Sequence, residues 1–509
     1  MKLFPFSIFQ PVLPVLVAFL LFRLVFWFTA FPNPDEAYYW LWGQHPGLSY
    51  YDHPPLLAWI QGLCTAIFGR SRLVLRLPNL ISTLVFFYIY YKILWHLYGS
   101  KARDYFGLTV VLVLASPLYF LFLALAWHDH LLITCSLLAA HWFVTFLDGY
   151  AQDGKGSSWR LYAAAVALGL AGLCKYNAVF VVLACLATVM TDARSRMLLR
   201  DRRFYLAGAI VASALLPILL WNYLNDFQSF HYYFNRSVNT GGIHFRLEGL
   251  VNFLLFSILM LSPVHSWAIW QLLRRPDVLL NHPSSYGRLA FWNGAIATGI
   301  LSILSLISAA LYYWNITAYL LLLPLLPPLL LRETTAIAAS PASHTRLIWS
   351  GQVYGLLFAG LLVVHSCLLP ISALFSSKSE VDPDSRMGFG WDGVAVVVNS
   401  QTADLGDHPF LLTTDYRSSS ALAYQLQDKH VLTISDRIDQ FDFWYPSDCP
   451  FKGRNAVILG DDWHPISREL LSQFQAVSEP VRIPVTRFGV WIKNYYLVKG
   501  YQFKGGRVS

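Results

Sequence analysis

Apolar side chains occur in this chain as long, nearly unbroken stretches. Runs long enough to cross a bilayer fall near 11–31, 77–96, 106–126, 131–150, 161–173, 176–191, 204–221, 249–273, 289–311, 316–331 and 347–370. They predict about eleven membrane spans, with the pair around 161–191 short. Segment 54–69 is also apolar, but it is short and opens on Pro54-Pro55, so it predicts a helix lying at the membrane interface. The first run, up to about Ala30, lacks an A-x-A cleavage site and is followed by more spans. It therefore reads as a first transmembrane helix and not a removed signal.

The pattern changes at about residue 371. In the tail, VAVVV, PFLLTT, HVLTIS and NAVILG read as strands or short buried segments, and SSSALAYQLQ and ISRELLSQF read as helices. The stretch VRIPVTRFGVWIKNYYLVKGYQF reads as a β-hairpin. The expected fold is mostly α: a polytopic helix bundle over 1–370, followed by a small soluble α/β domain over 371–509.

Composition supports a membrane protein: 56% of residues are hydrophobic, 16% aromatic and only 13% charged. That excludes an ordinary soluble globule and a disordered chain. The net charge of +8 reports loop placement rather than nucleic-acid binding. With the N-terminus cytoplasmic, fifteen Lys and Arg fall in inner segments and six in outer ones, the cluster Arg194–Arg203 weighing most. An odd span count then puts the tail outside. Of the six cysteines, five lie in apolar stretches and only Cys449 lies in the tail, so the tail has no internal disulfide.

The first outer loop, 32–76, carries the densest candidate chemistry. Asp35 and Glu36 follow the first span directly, and Asp35 reads either as a helix N-cap or as a rigidly held catalytic carboxylate. Tyr50, Tyr51, Asp52 and His53 precede the double proline, either as a solvated loop end or facing the same cleft as Asp35. In the short second outer loop Asp129 stands between His128 and His130. Alternate residues on a helix do not share a face, so a metal site there is the minority reading and a cavity-facing Asp129 is preferred. Lys175 reads either as a snorkelling lysine or as an anion-binding cation, with Arg236 a second and Arg246 a weaker third candidate. In the tail, Asp461-Asp462-Trp463 and Trp444-Tyr445 read as core aromatics or, less favoured, as a carbohydrate-stacking surface.

The succession NPDEAYYWLWGQHPGLSYYDHPPL, GRSRLVLRLPN, WHDHLLIT and GLCKYNAVF resembles bacterial family 39-type glycosyltransferases of the GT-C superfamily. These include the lipid A aminoarabinose transferase and relatives of protein O-mannosyltransferases. The resemblance spans roughly residues 10–330. It implies a polyprenyl-phosphate sugar donor and an extracytoplasmic active site in the bacterial inner membrane. It places the catalytic acids on Asp35 and Asp129, with Glu36 beside them, and substrate contacts on Tyr51, Asp52, His53, Lys175, Arg236 and Tyr319. In the aminoarabinose enzyme the second position of the acid-base pair before the double proline is Lys, so His53 is a departure. No cofactor is required. A divalent metal stays open, with Asp52, His53, His128 and His130 as weak donors.

A lipid-borne donor suits an outward site, because nucleotide sugars are absent there and a membrane lipid arrives by lateral diffusion. The acceptor stays open among lipid A, another glycolipid, a polysaccharide and a protein. The rival readings are a transporter or flippase for lipid-linked sugars, and a polysaccharide polymerase or ligase. A transporter needs polar sites reachable from both leaflets, whereas these residues gather on one side.

Overall fold

The computed structural model describes residues 12–237, 245–308, 310–331, 341–375, 381–406, 409–435, 437–446 and 449–505. The chain packs as two compact units: Met1–Arg23, His53–Leu57 and Pro78–Ala359 form the first, and Leu24–Asp52, Ala58–Leu77 and Gly360–Ser509 the second. Division by packing thus differs from division at residue 370. Most of loop 32–76 belongs with the tail, because its helix Pro34–Gln44 packs on the tail helix Tyr416–Leu426.

Every expected apolar run falls largely on helix among the described residues. Among the described residues, four stretches are long and apolar enough to cross a membrane: Arg72–Ala115, His128–Asp153, Tyr286–Ile307 and Thr345–Leu368. Four further helix pairs reach that length and apolarity only together, each a broken span or a re-entrant loop, the sharpest being Leu247–Leu261 with Pro263–Leu273 at 107°. Ser158–Cys174, Ala178–Thr191 and Leu56–Phe68 are shorter apolar helices. Proline explains several breaks. Pro117, Pro217 and Pro263 each stand in the first turn of the helix that follows a break, where a missing N–H costs nothing. The helices leave large apolar side chains uncovered, such as Leu84 at 65%, Ile303 at 65% and Leu357 at 62%. Such faces belong in lipid. The chain is a multi-pass membrane protein.

The second unit holds a six-stranded mixed sheet. Its strands are β1 (Phe410–Thr413), β2 (Val431–Thr433), β3 (Ala456–Asp461), β4 (Phe474–Val477), β5 (Val481–Arg487) and β6 (Val490–Phe503). The order is β2-β1-β3-β6-β4, with β5 also on β6. β1 pairs parallel with both β2 and β3, and the pairs with β6 are antiparallel. The expected hairpin is β5–β6, turning at Phe488 (φ 52°) and Gly489 (φ 76°). VAVVV is a correction: Val394–Val398 lies inside the helix Trp391–Ala403, with Val394, Ala395 and Val398 buried on one face. Their 3- and 4-residue spacing outweighs β-branched propensity. Phe410, Leu412, Ile458, Phe474 and Phe503 are the apolar centre on one side of the sheet.

Within the second unit the helices Pro34–Gln44 and Leu56–Phe68 meet at two glycines. A Cβ on Gly62 would stand 2.5 Å from the carbonyl oxygen of Gly43. Gly62→Ala is therefore expected to cost roughly 1–3 kcal/mol, as overpacking does. Unfolding in detergent measures this, and an unchanged midpoint would show that the two helices part freely.

Candidate active site

The site begins at the bend after the first span. Val12–Thr29 and Pro34–Gln44 meet at 60°. The N-cap of the second helix is Asn33: its side chain accepts from the Glu36 N–H, and Glu36 reaches back to the Asn33 N–H. Asp35 is therefore not the cap. Glu36 is fully buried and grips Arg76 bidentately at 3.0 and 2.7 Å. The same guanidinium donates to the carbonyls of Phe26, Trp27 and Ala30 at 3.1–3.2 Å, closing the end of the preceding helix. Expected beside the catalytic acids, Glu36 instead has both oxygens committed to this structural clamp.

Asp35, one position earlier, is left half-buried, and no hydrogen bond or ion pair engages its carboxylate among the described residues. Burial pushes its pKa up to about 7, Asp384 and Asp52 add to the rise, and Arg417 and Arg437 oppose it. Asp52 accepts from the Tyr38 hydroxyl at 2.8 Å and pairs with Arg437. Tyr38 itself accepts from the Gln440 N–H at 2.8 Å. Arg437 lies 4.7 Å from the ring centroid of Tyr416, and Arg417 pairs with Asp415 and Asp384. Each arginine here is matched by carboxylate, while Asp35 is the unmatched acid of the group.

The first unit holds a second cluster. Lys175 is buried, and its ammonium donates to both oxygens of Asp129 at 2.9 Å. It also stands 4.8 Å from the ring centroid of Tyr313. Lys175 is therefore not snorkelling, and Asp129 serves as its counter-ion. The flanking histidines diverge, as helical geometry requires. His130 Nδ1 meets the Ser82 hydroxyl at 2.7 Å, whereas His128 packs against the ring of His53 at 4.6 Å. His53 Nδ1 bonds the Tyr233 hydroxyl at 2.8 Å.

The remaining candidates separate. Tyr51 is buried, its ring stacked on Phe443 at 5.4 Å and its N–H donating to Gln440. Tyr319 accepts from Asn315 at 2.8 Å and lines an apolar pocket of about 370 Å³ with Phe291 and Leu322. The side chain of Arg236 lies outside the described residues. Arg246 is exposed. Of the weak metal donors, Asp52 pairs with Arg437, His130 meets Ser82, and His53 and His128 pack on each other. Among the described residues no three His, Cys, Asp or Glu side chains gather as a metal site. Sequence reasoning missed Arg417, Arg437, Asp384 and Tyr416, which lie hundreds of residues from Asp35 and form no local motif.

Residues 52–221 match the family described as dolichyl-phosphate-mannose-protein mannosyltransferase. The match covers about a third of the chain, from within the first outer loop into the helices that follow. A lipid A galacturonosyltransferase, RgtD of Rhizobium johnstonii, is 23% identical over 295 residues, covering 56% of this chain. The match spans 58% of that relative's length. ArnT from Cupriavidus metallidurans, bound to undecaprenyl phosphate, has the same fold: TM-score 0.65 at 15% identity, covering 96% of this chain and 98% of ArnT. Its apo form gives 0.62 at 16% identity, covering 96% and 97%. The likeness thus extends over both the helical and the mixed-sheet parts of this chain.

The electrostatics give two expectations. The carboxyl of Asp35 holds its proton to about 7 in the folded chain, against 3.8 as a model group. The folded state then binds more protons between those values, so stability falls as pH rises through that window. Asp35→Asn removes the penalty. It is expected to unfold later than the wild type at pH 8 and equally at pH 4, by melting in detergent at both pH values. Equal curves at pH 8 would mean an unstrained carboxylate. Lys175→Ala leaves the Asp129 carboxylate buried and unpaired, at a cost of about 3–5 kcal/mol. The pair replacement Lys175→Met with Asp129→Leu is expected to recover most of that loss in the same measurement.

Proposed function

We propose that this chain is an inverting glycosyltransferase that moves a sugar from a polyprenyl phosphate to an acceptor of the bacterial envelope. The observation that carries the reading is Asp35, a half-buried carboxylate with no hydrogen bond or ion pair among the described residues, set beside a 60° bend that the Glu36–Arg76 clamp fixes. A general base works best when its pKa is close to the working pH. The ArnT fold and that structure's bound undecaprenyl phosphate support the donor class. The relative that modifies lipid A supports a lipid A acceptor ahead of a polysaccharide or a protein.

In this reaction ionised Asp35 takes the proton of the acceptor hydroxyl. The hydroxyl oxygen attacks the anomeric carbon, and the bond to the phosphate oxygen breaks on the opposite face, so configuration inverts. The polyprenyl phosphate leaves with the bonding electrons. Lys175 and Arg236 are the cations this reading assigns to the phosphate. Asp52 and Tyr38 hold Arg437 and the helix that carries Asp35. The distribution of Lys and Arg supports an extracytoplasmic site. An impermeant thiol reagent that reached a Glu469→Cys variant only from the cytoplasmic side would overturn that orientation.

The deciding experiment supplies a radiolabelled polyprenyl-phosphate sugar and lipid A to the purified protein and analyses the product. Labelled lipid A with inverted anomeric configuration is expected. Movement of intact lipid-linked sugar across a vesicle wall, with no transfer, would favour the transporter. Asp35→Asn is expected to lose at least about 10²-fold in rate while still binding donor. Wild-type rate should rise with pH and level off above about 7, and the variant should lack that limb. Wild-type turnover in Asp35→Asn would remove it from the mechanism.

A further inference from the structure

In the sheet of the second unit, β1 has a parallel partner on each side, β2 and β3. Connections leaving β1 and β3 therefore diverge at the carboxyl ends of the strands, the place where α/β sheets open a ligand crevice. A cleft of about 530 Å³ lies there, lined from three successive loops: Thr414–Arg417 after β1, Ile434, Ser435 and Arg437 after β2, and Trp463, His464, Pro465 and Ser467 after β3. Its size is that of a small-ligand site.

The chemistry of the walls selects the ligand. The helix Tyr416–Leu426 presents its N-terminus here, the position that binds phosphate in many sheets of this kind. In this chain the Asp415 carboxylate already fills it, accepting from the Arg417 and Ser418 N–H groups. Arg417 and Arg437 are each matched by acid, from Asp415 and Asp384 and from Asp52. A strong anion would gain little from cations so compensated and would face Asp415. What the walls offer is fixed donors and acceptors beside two aromatic rings, Tyr416 and Trp463. His464 braces them: its Nδ1 meets Asp461 at 3.2 Å, its Nε2 accepts from Arg417 at 3.0 Å, and Asp461 is anchored by buried Lys493 at 2.7 Å. Planar charged groups and aromatic faces together suit a ring with hydroxyls around its rim and C–H bonds on its face. Arg417 and Arg437 also act on the carboxylate of Asp35, and the ring of Tyr416 lies 4.7 Å from that of Tyr38 on the helix that carries it.

We propose that this cleft seats a neutral saccharide unit of the acceptor, held by its hydroxyls on Asp415 and Arg417, which His464 positions, and by contact with Tyr416 and Trp463. The word acceptor rests on the transferase reading above; the saccharide site does not. Of the two aromatic groups in the tail, only the one with Trp463 takes part: Trp444 is stacked on His45 at 4.4 Å, and Tyr445 packs on Phe451.

Saturation-transfer NMR on the full-length protein in detergent tests the assignment, with diacetylchitobiose as neutral probe and inorganic phosphate as anionic competitor. Chitobiose is expected to bind and to resist displacement by phosphate. Ser435→Trp, which fills the cleft, should weaken it at least about 10-fold without moving the unfolding temperature. Should that variant melt early, His464→Gln keeps the bulk and carries the same expectation. Asp35→Asn should bind chitobiose as the wild type does. Absence of a chitobiose signal, indifference to both cleft variants, or competitive displacement by phosphate would each overturn the saccharide site. Normal chitobiose binding by a protein that transfers no sugar would leave the saccharide site standing and remove the transferase reading.

Discussion

The arrangement around Asp35 depends on one buried guanidinium. Arg76 sits in protein at 0% exposure, and an ion so placed is tolerated only when its hydrogen bonds are complete. Two of its bonds go to Glu36 at the start of one helix and three to carbonyls at the end of the helix before it. The chain therefore turns 60° at a fixed place, and Asp35 is fixed with it. Losing one partner of such a pair costs about 3–5 kcal/mol. The neighbouring acid thus provides the rigidity that its less constrained partner in the sequence, Asp35, needs.

The same logic of paired charge recurs through the molecule. Lys175 faces Asp129, Arg437 faces Asp52, Arg417 faces Asp415, and Lys493 faces Asp461. In low dielectric an unpaired charge moves its pKa until it is neutral. Asp35 stands outside this matching and keeps its proton to about 7, whereas Lys493 and hydrogen bonds from His464 overcome burial to hold Asp461 ionised. Two carboxyls in one unit are thus separated in role by their partners alone.

Much of the architecture was legible in the chain. Apolar runs report their own length, so helices fell where expected, and the long C-terminal stretch formed the expected hairpin. The loop carrying Asp35 stood out because polar residues crowd against a span. Legibility ended where partners are distant in sequence. Nothing near Glu36 announces Arg76, 40 residues later, and nothing near Lys175 announces Asp129, 46 residues earlier. Arg437 reaches Asp52 across 385 residues, so the cations around Asp35 could not be found from the loop itself. VAVVV misled for another reason: a short β-branched run carries no period of its own, and its neighbours decided for helix.

Asp415 has a consequence for how such a chain changes over time. Its carboxylate both ends a helix and occupies a place where backbone N–H groups would otherwise welcome negative charge. Serine also caps helices well but brings no charge. A single codon change at this position would keep the fold, uncover the amides, and leave Arg417 short of one counter-ion. One side chain thus sets whether the cleft presents a filled helix cap or bare backbone amides.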